Sequence, residues 1–205
     1  VSDHRRVLIT GTGRTGSWWL THALRGAGVS VTHEVHYTTD RHGPVPDHHI
    51  EVSWLAAPYT PPADTHVIHL VRHPLAVIAS RAAWGSFERA HPVVNGAYDP
   101  RIKGRWAARM VPEIMGGHTA VERAAIHWVR WIGLLHGVTE VLRLEDVTAV
   151  EVNRVARLSD YAGGTLTVLP PPSNQSLGVP PKVEWSDVAH IEGLIETARQ
   201  LGYYL

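Results

Sequence analysis

One short stretch constrains this chain more than any other. An apolar run, Val7-Leu8-Ile9-Thr10, leads directly into Gly11-Thr12-Gly13-Arg14-Thr15-Gly16. A helical stripe follows, with Leu20, Ala23, Leu24 and Ala27 spaced i, i+3, i+4 and i+7. Gly26 and Gly28 end that helix, and Val29-Ser30-Val31-Thr32-His33 reads as a second strand. A strand, a helix and a strand in about 30 residues form a βαβ unit, which requires a parallel sheet. A glycine turn between strand and helix lets backbone N–H groups approach an anion, and the helix N-terminus adds a favourable field. The stretch therefore predicts a phosphate-like ligand at the edge of a parallel sheet.

The rest of the chain continues the alternation. Residues 38–49 are polar and contain Gly43, Pro44 and Pro46, the mark of a loop. Glu51 to Ala57 reads as a short helix stopped by Pro58. His66 to Val71 is a third strand, and Pro74 opens a helix through Arg81. Residues 85–118 give no clear element. Thr119 caps a helix whose stripe is Val121, Ala124, Ala125, Trp128, Trp131, Ile132 and Leu135. Glu140 to Leu144 is a fourth strand, Glu151 to Leu158 is helical, and a final helix spans Asp187 to Leu201. No repeat or linker interrupts this pattern. The expectation is one α/β domain over residues 1–205, a three-layer α/β/α arrangement with a central parallel sheet.

Composition removes several function classes. The 205 residues have 44% hydrophobic and 19% charged content, within the globular range. The formal net charge is zero, so a basic face for nucleic acid is not expected. Cysteine is absent, which excludes disulfides, thiolate zinc sites and cysteine nucleophiles. No apolar run reaches the ~20 residues needed to span a bilayer. No signal peptide is visible, and a cytoplasmic protein is expected. Histidine is abundant, at 15 residues. His48 and His49 are adjacent and His66, His69 and His73 cluster, but none forms a helical HExxH, and no metal site is assigned.

Three ligand classes compete for the glycine turn. Gly11-x-Gly13-x-x-Gly16 fits the dinucleotide fingerprint, and Glu34 ends the second strand where a ribose-binding acid belongs. No Tyr-x-x-x-Lys pair occurs, however, so short-chain dehydrogenase chemistry lacks its residues. Gly11-x-x-x-x-Gly16 also has Walker spacing, but Ser17 stands at the lysine position and Trp18 at the Ser/Thr position. That removes the phosphate-reaching lysine and the Mg²⁺-holding hydroxyl.

The third class rests on a resemblance. Thr12-Gly13-Arg14-Thr15-Gly16-Ser17-Trp18-Trp19 resembles the 5′-phosphosulfate loop of PAPS-dependent sulfotransferases, which carry Lys/Arg then Ser/Thr-Gly-Ser/Thr. Trp18 departs from that pattern, where a second Thr is usual. Val71-Arg72-His73-Pro74 through Ser80-Arg81 looks like the family's 3′-phosphate motif, with Arg72 and Ser80 bracketing the phosphate. Over most of residues 5–148 the chain is similar to a small bacterial and phage group of sulfotransferase-like proteins.

The resemblance implies a P-loop-like sulfotransferase fold, PAPS as donor, PAP as product, and in-line sulfuryl transfer to a hydroxyl or amine. It implies cofactor contacts from Thr12, Gly13, Arg14, Thr15, Gly16, Ser17, Trp18, Trp19, Arg72 and Ser80, with Trp19 against adenine. A late basic residue is also usual, and Lys182 or Asn174 fits that place. Arg14 would stabilise charge on the departing oxygen. Glu34 resembles the base of glycan and tyrosine sulfotransferases, with His33 and His36 as rivals. Strand alternation predicts that His33 and Glu34 face opposite ways. A small-molecule or glycan acceptor is implied, and Trp54, Trp84 and Trp106 are candidates for its cleft. The remaining readings are a nucleotide-binding homologue without turnover and an NAD(P)-dependent oxidoreductase.

Overall fold

A computed structural model describes residues 6–88, 100–156, 158, 164–171 and 179–204. Its contacts divide the chain into two compact units. The first comprises residues 1–72 and 134–173, the second residues 73–133 and 174–205.

The first unit contains a five-stranded sheet, all of whose pairings are parallel. Its strands are β1 (Arg6–Thr10), β2 (Val31–His33), β3 (His49–Val52), β4 (Thr65–Val71) and β5 (Val138–Arg143), in the spatial order β2-β3-β1-β4-β5. The α/β class with a central parallel sheet is therefore as the sequence predicts. Helix α1 (Ser17–Gly26) and helix α5 (Ala149–Val155) belong to the same unit. They bury Leu20, Leu24, Val152 and Val155 with Val7, Ile9, Ile68 and Leu70. Each fully buried leucine contributes about 1.5–3 kcal/mol relative to exposure.

Two predicted segments differ from the structure. Residues 51–57 are not a helix. His49–Val52 is strand β3, and a 3₁₀ turn, Trp54–Ala56, follows. The strand inserts between β1 and β2, pairing Val7 with Ile50 on one side and Val31 with Ile50 on the other. The final helix is also broken. It forms α6 (Trp185–Val188) and α7 (Leu194–Gln200), because Gly193 between them is left-handed at φ 79°.

The second unit is helical. It contains α2 (Pro74–Trp84), α3 (Pro100–Met110), α4 (Ala120–Ile132), α6 and α7. Pro74 takes the first-turn position of α2, and Thr119 and Glu122 form a capping box at α4. Trp106 is buried edge-to-face against Trp131 at 5.5 Å, so it is a core residue of this unit. Trp54 is likewise buried in the first unit. Among the described residues no helix is long and apolar enough to cross a membrane.

The histidines of β4 are built into the sheet. His66 bonds the Val155 carbonyl and the Thr139 hydroxyl, both at 2.9 Å. His69 is buried, which pushes its pKa down from 6.5 to about 4. Its neutral form is thus favoured on folding. The stability it supports is complete above the unfolded value and is lost as pH falls through the folded value. We expect acid to remove about 3 kcal/mol through this group between about pH 7 and about pH 4. Urea unfolding at the two ends of that range checks it: in His69→Leu the acid loss should shrink by about that amount.

Candidate functional site

Strand order fixes where a ligand can sit. From β1 the chain crosses to β2 on one side, and from β4 it crosses to β5 on the other. The crevice between the C-terminal ends of β1 and β4 is therefore the topological switch point, the usual ligand position in open parallel sheets. The glycine turn leaves β1 at this point, and Arg72 follows β4 there.

The turn is shaped for close approach. Gly13, Arg14 and Gly16 have φ of 70°, 64° and 96°, a tightly curled left-handed path. Gly16 is the N-cap of α1 and offers no side-chain bond to it. The first-turn N–H groups have no intrahelical acceptor by construction, and no acid stands among them. A side chain at Gly11 would put its Cβ 2.4 Å from the Leu70 carbonyl, so only glycine lets β1 leave the sheet beside β4. Arg72 donates from Nη1 to the Arg14 carbonyl at 3.4 Å, joining the end of β4 to the turn. The Arg72 guanidinium thus ties the end of β4 to the backbone of the turn.

The other expected residues divide clearly. Thr12 and Thr15 are buried within the turn, while Ser17 is half-buried. Trp18 is exposed and meets His22 and His33 edge-on at 4.4 and 5.2 Å. Trp19 turns the opposite way, into the core, and its indole donates to the Pro170 carbonyl at 2.9 Å. The exposed ring beside the turn is therefore Trp18, where the resemblance names Trp19. Ser80 and Lys182 belong to the second unit. Ser80 is buried on α2, and Lys182 is exposed and paired with Glu184 at 2.6 Å. Asn174 lies outside the described residues.

His33 and Glu34 are not on opposite sides. Strand β2 ends at His33, and Glu34 is left-handed at φ 55°, so the alternation stops between them. Glu34 still donates its amide to the Val52 carbonyl, but its carboxylate returns to 4.0 Å from His33 Nε2. His33 Nε2 also meets Ser17 Oγ at 3.2 Å, linking the end of β2 to the start of α1. A left-handed non-glycine residue costs about 1–2 kcal/mol. Arg14 and Glu34 both adopt that conformation at this edge, as strained residues at working sites do.

Sequence reading missed a third cluster on the outer part of the sheet. His36, His49 and Glu51 have potential ligand atoms within 4.8 Å of one another. Glu51 is wholly buried on a strand, although the segment it begins reads as a short helix. Burial raises its pKa, opposed by hydrogen bonds from Thr32, Val35 and His36. His49 is lowered by burial and by the neighbouring His36. Only the alternation of β3, once recognised, would put His49 and Glu51 on one face.

Comparison with known proteins adds no family to this geometry: no family model and no curated protein matches the chain.

Proposed function

We propose that the chain is a cytoplasmic PAPS-dependent sulfotransferase that binds the donor's phosphosulfate end at residues 12–18. The observation that carries this reading is the pairing of Arg72 with the Arg14 carbonyl at the switch point. It brings one guanidinium against the backbone of the glycine turn, beside the start of α1, an arrangement suited to an anionic ligand. The strand order counts against the dinucleotide alternative. There the acid-bearing second strand adjoins the first, whereas here β3 separates β1 from β2. Ser17 and Trp18 in the two Walker positions count against ATP.

The chemistry follows from these groups. The acceptor oxygen or nitrogen forms a bond to sulfur as the bond from sulfur to the bridging oxygen breaks. Negative charge collects on that oxygen, which leaves as the 5′-phosphate of PAP. Arg14 stays cationic throughout, so it stabilises the charge electrostatically and transfers no proton. The acceptor's proton goes to a base, for which His33 and Glu34 are the candidates beside the turn. Ser80 and Lys182 are proposed for the 3′-phosphate on the family resemblance alone.

A thermal-shift panel with PAP, NADPH and ATP tests the reading. PAP at about a hundredfold excess over its Kd should add about 2.7 kcal/mol, or roughly 5–10 °C for a chain of this size. A shift with NADPH and none with PAP would reverse the assignment.

A further inference from the structure

We propose that His36, His49 and Glu51 bind one divalent cation of the zinc type, in a site with an open coordination position. The inference does not depend on the sulfotransferase reading.

The Thr32 hydroxyl lies 2.7 Å from His49 Nε2 and donates a short hydrogen bond to Glu51 Oε2. One ring nitrogen and one carboxylate oxygen, from neighbouring positions on the same face of β3, therefore converge on a single point. The His36 ring lies edge-on to His49 at 5.6 Å between centroids, and brings the third ligand atom. Two imidazoles and a carboxylate are the donor set that zinc accepts, with three protein ligands leaving the fourth position for water.

The supporting shell is already in place. Metal-bound histidines generally have the other ring nitrogen held by a hydrogen bond, and bound carboxylates are themselves hydrogen-bonded. His49 Nδ1 meets Ser30 Oγ at 2.8 Å. Glu51 Oε1 accepts from the amides of Val35 at 2.9 Å and His36 at 3.2 Å. The far atoms of His49 and Glu51 are thus anchored, and their near atoms meet at the common spot.

Charge gives a second, independent reason. Glu51 is 0% exposed, and its hydrogen-bond partners are a hydroxyl and two amides, all neutral. A buried carboxylate is costly without a compensating positive charge. A divalent ion at the Thr32 position supplies it. The threonine hydroxyl gives way by rotation about χ1, a small motion for a partly buried side chain on the short strand β2.

The test uses the untagged full chain, stripped with chelator and titrated with Zn²⁺ and separately with Co²⁺. We expect saturable uptake of one ion per chain, and visible Co²⁺ bands of a four-coordinate site. His36→Ala is the decisive variant, because His36 contributes no side-chain hydrogen bond to Glu51, whose removal could unfold the turn. It should weaken Zn²⁺ binding at least tenfold, and Ser30→Ala should weaken it by about 10–100-fold through the His49 ring. Absence of one-to-one uptake overturns the proposal. So does uptake unchanged in both His36→Ala and His49→Ala, which would assign the ion to other histidines.

Discussion

Arg14→Ala should lower sulfuryl transfer by about 10²–10³-fold in kcat while the protein remains folded. The size follows from the role: a fixed cation at a developing charge acts only in the transition state. The fold should survive because the substitution leaves the turn's backbone contact with Arg72 in place. Its carbonyl accepts from Arg72, and alanine retains that carbonyl. Alanine also meets the same left-handed strain at φ 64° that arginine already bears, so the difference between them is small. Arg14→Lys separates charge from shape. It keeps the cation but loses the planar fork, so activity should lie between the two. Measuring kcat with PAPS and a responsive acceptor, beside the melting temperature, decides the matter. Undiminished turnover in Arg14→Ala would remove the mechanism.

Gly11→Ala should destabilise the chain by about 3 kcal/mol or more, the upper range for overpacking, because the obstruction is backbone. The added Cβ would lie 2.4 Å from the Leu70 carbonyl oxygen, and Leu70 is in the middle of the register between β4 and β5. Neither β1 nor β4 can withdraw without losing ladder bonds. Gly26→Ala, fifteen residues along the same βα unit, provides the contrast. Nothing lies within 4 Å of the methyl that alanine would add there, and Gly26 is the last residue of α1. Alanine at this position should stabilise by about 0.5–1 kcal/mol through helix propensity. Urea denaturation of the pair reads both signs. A loss at Gly11 below about 1 kcal/mol would mean that β1 and β4 have more freedom than their register implies.

These residues also mark how far sequence reading reaches. The β1–turn–α1 segment was legible because strand, turn and helix each have a local signal: an apolar run, glycines, and an i, i+3, i+4, i+7 stripe. Strand β3 was not. Its Glu51 reads as the start of a short helix, yet it is buried against Thr32 and two amides that lie at least fifteen residues earlier in the chain. Such compensation is tertiary, and no local window contains it. The same limit hid the metal-type cluster, which takes one ligand from the turn after β2 and two from β3. The faces of His33 and Glu34 were misread for a different reason. Alternation holds only inside a strand, and one left-handed residue at its end reverses the outcome. Trp18 and Trp19 were ambiguous because adjacent helix positions diverge by about 100°, and the stripe alone does not say which ring faces the core.

The spatial order of the strands has a consequence for synthesis and handling of the chain. β4 gains its second neighbour only when β5 is present, after residues 72–137 have been made. Until then β4 is an open sheet edge whose seven residues, Thr65–Val71, are all buried in the finished protein. An open edge of that kind is a template for another chain, so a nascent or truncated product ending before Val138 is the form most exposed to self-association.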